Sequence, residues 1–278
     1  MINSQGVKST VLGLCVLALV LVGGALPGWA QDSTKQIPPT DDKAVEILDR
    51  FVEVTGGQDA YDAIQNRHMK GRFEIAAMGL TLYMDIYTTK DRRFLSIASS
   101  EATGEIRRGY DGTIFWEVSL MSGPRIIEGD ELEQAMQETV LEKYVYWRDV
   151  YKSASYAGVD STNGVMCDKV VLTPATGPAT TLYFDQKTGM IVREDSVADT
   201  QMGQIPIVAT ASDFREVDGI KMSFASTLSV MNQERQVFVD SLWHNVDVPD
   251  SLFAPPEEIK ELLMVEPAAE PAVDSTKQ

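Results

Sequence analysis

Few residues in this sequence could do covalent chemistry, and their spacing argues against it. Outside an apolar N-terminus, the candidate ligands and nucleophiles are His68, His244 and Cys167. Metal-binding histidines commonly share a helix turn, as in His-Glu-x-x-His, or stand near paired cysteines. His68 and His244 do neither and read as surface or strand residues. Cys167 follows Met166 and enters an apolar strand, the setting of an inert buried thiol. No Gly-x-Ser-x-Gly elbow, Gly-rich phosphate loop or Asp-rich calcium loop occurs. Gly56-Gly57 lacks a following Lys with Ser or Thr and reads as a helix stop.

Carboxylates are plentiful. Glu117, Asp185, Glu194 and Asp213 fall on predicted strands, where two facing acids could form the acid and base of a glycosidase. With 41 Asp plus Glu in the chain, such a pairing arises easily by coincidence. The sequence therefore offers no catalytic constellation, no metal ligand set and no cofactor motif, and reads as non-enzymatic. Apolar residues are more suggestive. Met78, Leu82, Met84, Trp116, Phe184, Met222 and Phe224 lie on predicted inward strand faces. Leu132, Met136 and Val140, with Tyr144 and Trp147, share one predicted helix stripe. Singly these are ordinary core residues; together, with adaptable methionines among them, they would suit a pocket for acyl chains.

These side chains need elements to place them. Thr40 or Asp41 can cap a helix in which Val45, Leu48, Phe51 and Val52 recur at helical spacing until Gly56-Gly57, and a short helix through Ala60 and Ile64 follows. The period then changes to two. Over residues 78–86 every even position is apolar, which predicts a strand with one face on an apolar interior. Further strands are predicted at 114–120, 169–173, 180–185, 190–196, 205–214, 220–230 and 235–243, with extended stretches at 67–75, 93–98, 105–110 and 151–159. Asp111-Gly112, Asn163-Gly164 and Asp218-Gly219 suit type I′ hairpins, and Gln186-Lys187-Thr188-Gly189 a longer turn, so the neighbours should be antiparallel. Residues 130–148 interrupt the strands with an apolar stripe at helical spacing, predicting an amphipathic lid helix. The fold class is mainly β with few helices (α+β). A sheet of roughly ten or more strands coils, and its apolar face must be covered.

The ends read differently. Residues 1–30 form an export signal: Lys8, an apolar run over 11–26, then Gly28-Trp29-Ala30 with small residues at a cleavage site. Cys15 follows Leu14 inside the apolar run, so lipidation there is not expected. Residues 31–40 read as a linker, 41–256 as one domain, and 257–278 as a solvated acidic, Pro/Ala-rich tail. Asp-Ser-Thr-Lys-Gln occurs at both 32–36 and 274–278, a match with no physical explanation here. The net charge is −17, and loss of the leader with Lys8 makes it more negative. Such a surface repels nucleic-acid phosphates and anionic lipid headgroups, which excludes both as charge-driven partners. Beyond the leader only Cys167 remains, so no intramolecular disulfide can form.

The order of features resembles the bacterial outer-membrane lipoprotein-sorting proteins and their relatives with a LolA/LolB-like half-barrel. The resemblance rests on an export signal, Thr55-Gly56-Gly57 with Ala60, Tyr110-Asp111-Gly112 leading to Trp116, and a central helix. It continues through Tyr183-Phe184-Asp185 with Thr188-Gly189, the run from Asp213 through Asp218-Gly219-Ile220, and Asn245-Val246-Asp247 with Phe253. It covers residues 44–256 and implies a curled antiparallel half-barrel of about eleven strands with helical lids. It further implies a periplasmic carrier of lipid or lipoprotein acyl chains, partnered by inner- and outer-membrane lipoprotein machinery. No catalytic residue transfers from the family, and the lack of a lipidated cysteine looks like the soluble carrier rather than the anchored acceptor. The alternative is an envelope protein-protein interaction module with a filled core and no lipid ligand.

Overall fold

The computed structural model describes residues 37–200, 203–231 and 233–264. The export signal, most of the predicted linker and the chain beyond Met264 lie outside the described residues.

Helix α1 (Asp42–Thr55) begins where Asp41 Oδ1 accepts from Ala44 N at 2.7 Å, and α2 (Gln58–Asp62) follows directly after Gly56 and Gly57. The other Asp41 oxygen accepts from Tyr156 N at 2.6 Å, so one side chain both starts the helix and pins it to the sheet. Six strands follow: β1 (Asn66–Ile75), β2 (Leu80–Thr89), β3 (Phe94–Ser100), β4 (Gly104–Tyr110), β5 (Phe115–Ser119) and β6 (Gly123–Ile127). After α3 (Gly129–Ala135) and α4 (Trp147–Val150) come β7 (Tyr151–Thr162), β8 (Val165–Pro174), β9 (Thr180–Asp185) and β10 (Ile191–Thr200). The sheet is completed by β11 (Gly203–Val217), β12 (Ile220–Val230) and β13 (Gln233–His244), and α5 (Glu257–Met264) ends the described chain.

All pairings are antiparallel, in the order β6-β5-β4-β3-β2-β1-β13-β12-β11-β10-β9-β8-β7. Two meanders, β1–β6 and β7–β13, are thus joined through β1 and β13. At that seam β13 carries one extra residue, Asp240, opposite the step from Lys70 to Gly71, and a Cβ on Gly71 would come within 2.2 Å of Phe238 O. The edge strands β6 and β7 are consecutive in sequence, so the segment between them crosses from one edge of the sheet to the other. This topology makes residues 128–150 a bridge over the concave face. The architecture is a curled, unclosed half-barrel, as the alternation and turn chemistry predict, with thirteen strands in place of about eleven.

Several details differ from the sequence reading. The bridge is not one helix: α3 stops at Ala135, and isolated turns carry the chain to α4. Here tertiary anchors outweigh helical propensity, since Glu138 and Glu142 are drawn to Arg108 and Arg67 on different strands, and Thr139 Oγ1 donates to the Met136 carbonyl at 2.8 Å. Met78 is not on a strand; residues 76–78 form a single tight turn closed by Gly79 at φ 61°, and β2 starts at Leu80. Asn163-Gly164 and Asp218-Gly219 have both φ values positive, as type I′ requires. Asp111-Gly112 does not: Asp111 Oδ1 accepts from Thr113 N at 2.7 Å and Ile114 N at 2.9 Å, giving an Asx turn. Strand β6, rich in Gly, Pro and Arg, had no predicted counterpart. Residues 257–264, expected in the solvated tail, form α5 and bury Ile259.

Candidate functional site

The concave face carries two apolar regions in continuous register, since Leu182 pairs with Glu194, Glu194 with Ala209, and Ala209 with Leu228. Over β7–β10 the face is sealed by α1 and the C-terminal half of the bridge. Ala44 and Leu48 pack with Tyr144 and Trp147 on Val170, Leu172, Leu182 and Phe184, and Phe51 meets Phe184 edge-on at 6.0 Å. Over β1–β3 and β11–β13 the cover is thin. Leu82, Met84, Met222, Phe224, Phe73 and Leu242 belong to one buried cluster. Among the described residues, the only side chains outside strands that join this cluster are Leu132, Ala135 and Met136 of the bridge.

The structure therefore brings together six of the ten predicted pocket residues: Leu82, Met84, Leu132, Met136, Met222 and Phe224. Phe184 shares the face but lies under α1, and Val140 is half-buried outside the cluster. Met78 is 63% exposed on its turn. Trp116 faces the other way, fully buried against Leu95, Phe253 and Ile259 on the convex side. The face assignment fails there because β3 and β5 are buried on both sides: Phe94 and Phe115 point inward, Leu95 and Trp116 outward. Alternation cannot rank two buried faces.

An ion network fastens the bridge to the thinly covered end. Arg108 on β4 pairs with Glu117 on β5 at 3.3 Å and with Glu138 on the bridge at 2.9 Å. Arg125 on β6 pairs with Glu117 at 3.1 Å and, through two nitrogens, with Glu131 at 2.7 and 2.8 Å. Burial pushes the Glu138 carboxyl up despite the facing guanidinium of Arg108. The Arg125 fork holds Glu131 below the usual carboxylate range. Further along, Glu142 pairs with Arg67, and Lys143 stands 3.7 Å from the buried Glu194. Tyr144 and Tyr151 stack beside that pair at 6.5 Å, and burial raises the Tyr144 phenol further from ionisation.

This network was missed in the sequence. Its signal was present, because Arg108, Glu117 and Arg125 occupy directly opposed ladder positions, but those strand registers had to be known first. The four acids weighed as a glycosidase pair are engaged elsewhere. Glu117 is held by two arginines, Glu194 stands by Lys143, Asp213 pairs with Arg215 at 2.6 Å, and Asp185 accepts from Lys187 N at 2.9 Å. His68 Nε2 meets Asp85 at 2.6 Å, and His244 lies between Asp218 and Arg67. Burial raises the Cys167 thiol to about 11, as befits an inert side chain. Among the described residues no three His, Cys, Asp or Glu side chains group as metal ligands, and no helix is long and apolar enough to cross a membrane.

The two ends of the sheet also differ. One carries charged turns, such as Lys90-Asp91-Arg92 and Asp218-Gly219. The other, where β1–β2, β5–β6 and β12–β13 turn, presents Met78, Leu120, Met121 and Met231, each at least 63% exposed.

No family model and no curated protein matches this sequence. Solved structures do. A DUF1329 family protein from Desulfovibrio piger is 16% identical with a TM-score of 0.54, over 77% of this chain and 98% of that one. A domain named for outer-membrane lipoprotein sorting, from Vibrio parahaemolyticus, is 9% identical with a TM-score of 0.53, over 80% and 98%. A LolA superfamily protein from Nitrosomonas europaea is 11% identical with a TM-score of 0.54, over 76% and 97%. At these identities the likeness is one of architecture, and it follows that the chain has the LolA-like half-barrel fold.

Proposed function

We propose that this protein is a non-enzymatic carrier or binding protein for lipid or lipoprotein acyl chains, working in the periplasm of a bacterium with two membranes. The observation that carries the reading is the unequal cover of the concave face. The apolar surface containing Leu82, Met84, Met222 and Phe224 is roofed from outside the sheet by Leu132, Ala135 and Met136 alone among the described residues. Moving that short segment would expose an apolar trough without unfolding a strand. Burial is worth about 0.8 kcal/mol per methylene, so an acyl chain needs little polar recognition to bind there. The LolA-like fold and the predicted export signal fit the same reading, and no covalent step is required of the residues present.

A second reading has its own support. Phe73, Phe94, Phe115 and Phe224 are already buried on the concave side, as in an interaction module whose core is filled and whose surface docks another envelope protein. Native mass spectrometry of protein recovered from its own envelope separates the two. Co-purified lipid, and binding of a fluorescent fatty acid after delipidation, are expected for the carrier. Protein that is reproducibly empty and binds no fatty acid overturns the carrier in favour of the module.

A further inference from the structure

Arg235 on β13 is anomalous. It stands directly opposite Leu228 of β12, a member of the thinly covered apolar cluster, and so shares the concave face. On its other side the ladder runs one step past Glu74 and Gln236, which sets it alongside Ile75, also of that cluster. Its place in the strand is near the end of the sheet with the apolar turns. The other concave-face arginines have carboxylates: Arg67 has Glu142, Arg108 has Glu138, Arg125 has Glu131 and Arg215 has Asp213. Arg235 has no ion pair or hydrogen bond to any described residue, and its Nε is buried without an acceptor. Burial alone lowers its pKa, with no nearby charge opposing.

A partly desolvated guanidinium without an anion is costly, and a chain with net charge −17 has no shortage of carboxylates to neutralise one. A cation with no partner among the described residues, at the edge of an apolar trough, is prepared for an anion that arrives from outside. A guanidinium fork matches the two oxygens of a carboxylate or phosphate, and with Nε already out of water the pairing is made in a low dielectric.

We propose that Arg235 is the headgroup site of the trough, taking the oxyanion of an amphiphile whose hydrocarbon lies over Leu228, Met222 and Phe224. This rests on the carrier reading and adds what that reading lacks, a polar selection among apolar ligands. It also offsets the acidic surface, which would otherwise repel such a ligand.

The test compares a fatty acid, its methyl ester and a phosphatidic acid of matched chain length, each displacing a fluorescent fatty alcohol from the delipidated protein. The acid and the phosphatidic acid are expected to bind about tenfold tighter than the ester. The ratio of acid to phosphatidic acid then identifies the preferred oxyanion. Arg235→Gln should abolish the preference while leaving ester binding intact, and Arg235→Lys should restore part of it. Equal binding of acid and ester by the unmodified protein overturns the headgroup site and leaves the carrier standing, whereas no binding of any of the three overturns both. Thermal unfolding without ligand gives an independent readout. Arg235→Met should hold or raise the midpoint, because it removes an unpaired cation; a fall would mean an internal partner and would overturn the proposal.

Discussion

Arg108 Nη1 donates to both carboxylate oxygens of Glu138, at 2.9 and 3.1 Å, and so ties the bridge across the concave face to strand β4. Both side chains are largely buried, and Glu117 shares the same guanidinium. The bridge is therefore held by groups that are unfavourable to bury singly and acceptable together.

Replacing Arg108 by Met leaves Glu117 and Glu138 facing each other with one cation removed. The expected loss is about 3 kcal/mol or more in urea unfolding. Amide hydrogen exchange over residues 129–146 should accelerate more than in β11 or β12, because the latch and not the sheet is broken. Glu138→Gln should cost less, since burial already disfavours its charge.

If the trough takes acyl chains, Met136→Glu puts a carboxylate in its roof and should weaken fatty-acid binding by about tenfold or more. Met166→Glu should leave binding unchanged, because Met166 is 53% exposed near the start of β8, outside the cluster and at the end of the sheet opposite Arg235. Displacement of a fluorescent fatty acid measures both. Equal effects of the two substitutions would count against the bridge as the roof.

Trp116 defines a second, structural assembly on the convex side. Gly109 lies opposite it on β4, and a Cβ there would come within 2.4 Å of the indole Cζ2. Gly109→Ala is thus expected to cost about 1–3 kcal/mol through overpacking. Ile259→Ala, which removes the α5 side chain from the same assembly, should cost about 2–4 kcal/mol. Tryptophan fluorescence during urea unfolding reports both; an unchanged midpoint for Ile259→Ala would return α5 to the role of a tail.

These two assemblies show what the sequence could and could not disclose. Helix α1, with its Asp41 cap and Gly56-Gly57 stop, and the long strands β8–β13 were legible because one face of each is apolar and hairpin dipeptides mark the chain, Asn163-Gly164 just before β8 and Asp218-Gly219 between β11 and β12. Two-sided burial was not: Phe115 and Trp116 are adjacent and both buried, so period two offered no choice between them. The tail's Glu257, Glu258 and Glu261 masked the one residue, Ile259, that seats α5. The bridge misled in the opposite direction, having a helical stripe that its own ion pairs break up. Arg235 was silent because an arginine's importance here lies in the partner it lacks, which only the register reveals.

The remaining prediction concerns pH. His244 is the buried end of β13; its Nδ1 meets Asp218 at 3.1 Å, and Arg67 Nε donates to its Nε2 at 3.2 Å. An Nε2 that accepts from a guanidinium cannot also carry a proton, so the contact selects the neutral ring with hydrogen on Nδ1. Burial, and then the Arg67 charge, lower the pKa below the ordinary histidine value of 6.5, against a smaller opposing pull from Asp218. In the unfolded chain the ring therefore gains its proton first as pH falls, and folding loses stability from about pH 6.5 down to the lowered native value. Arg67 also holds Glu142 of the bridge, so protonation of His244 acts at a bridge anchor as well as at the strand end. Urea midpoints measured between about pH 7.5 and 5.5 should fall in the unmodified protein. His244→Gln should flatten that slope whatever its own midpoint, because the titrating group is gone; an unchanged slope would show that the acid sensitivity arises elsewhere.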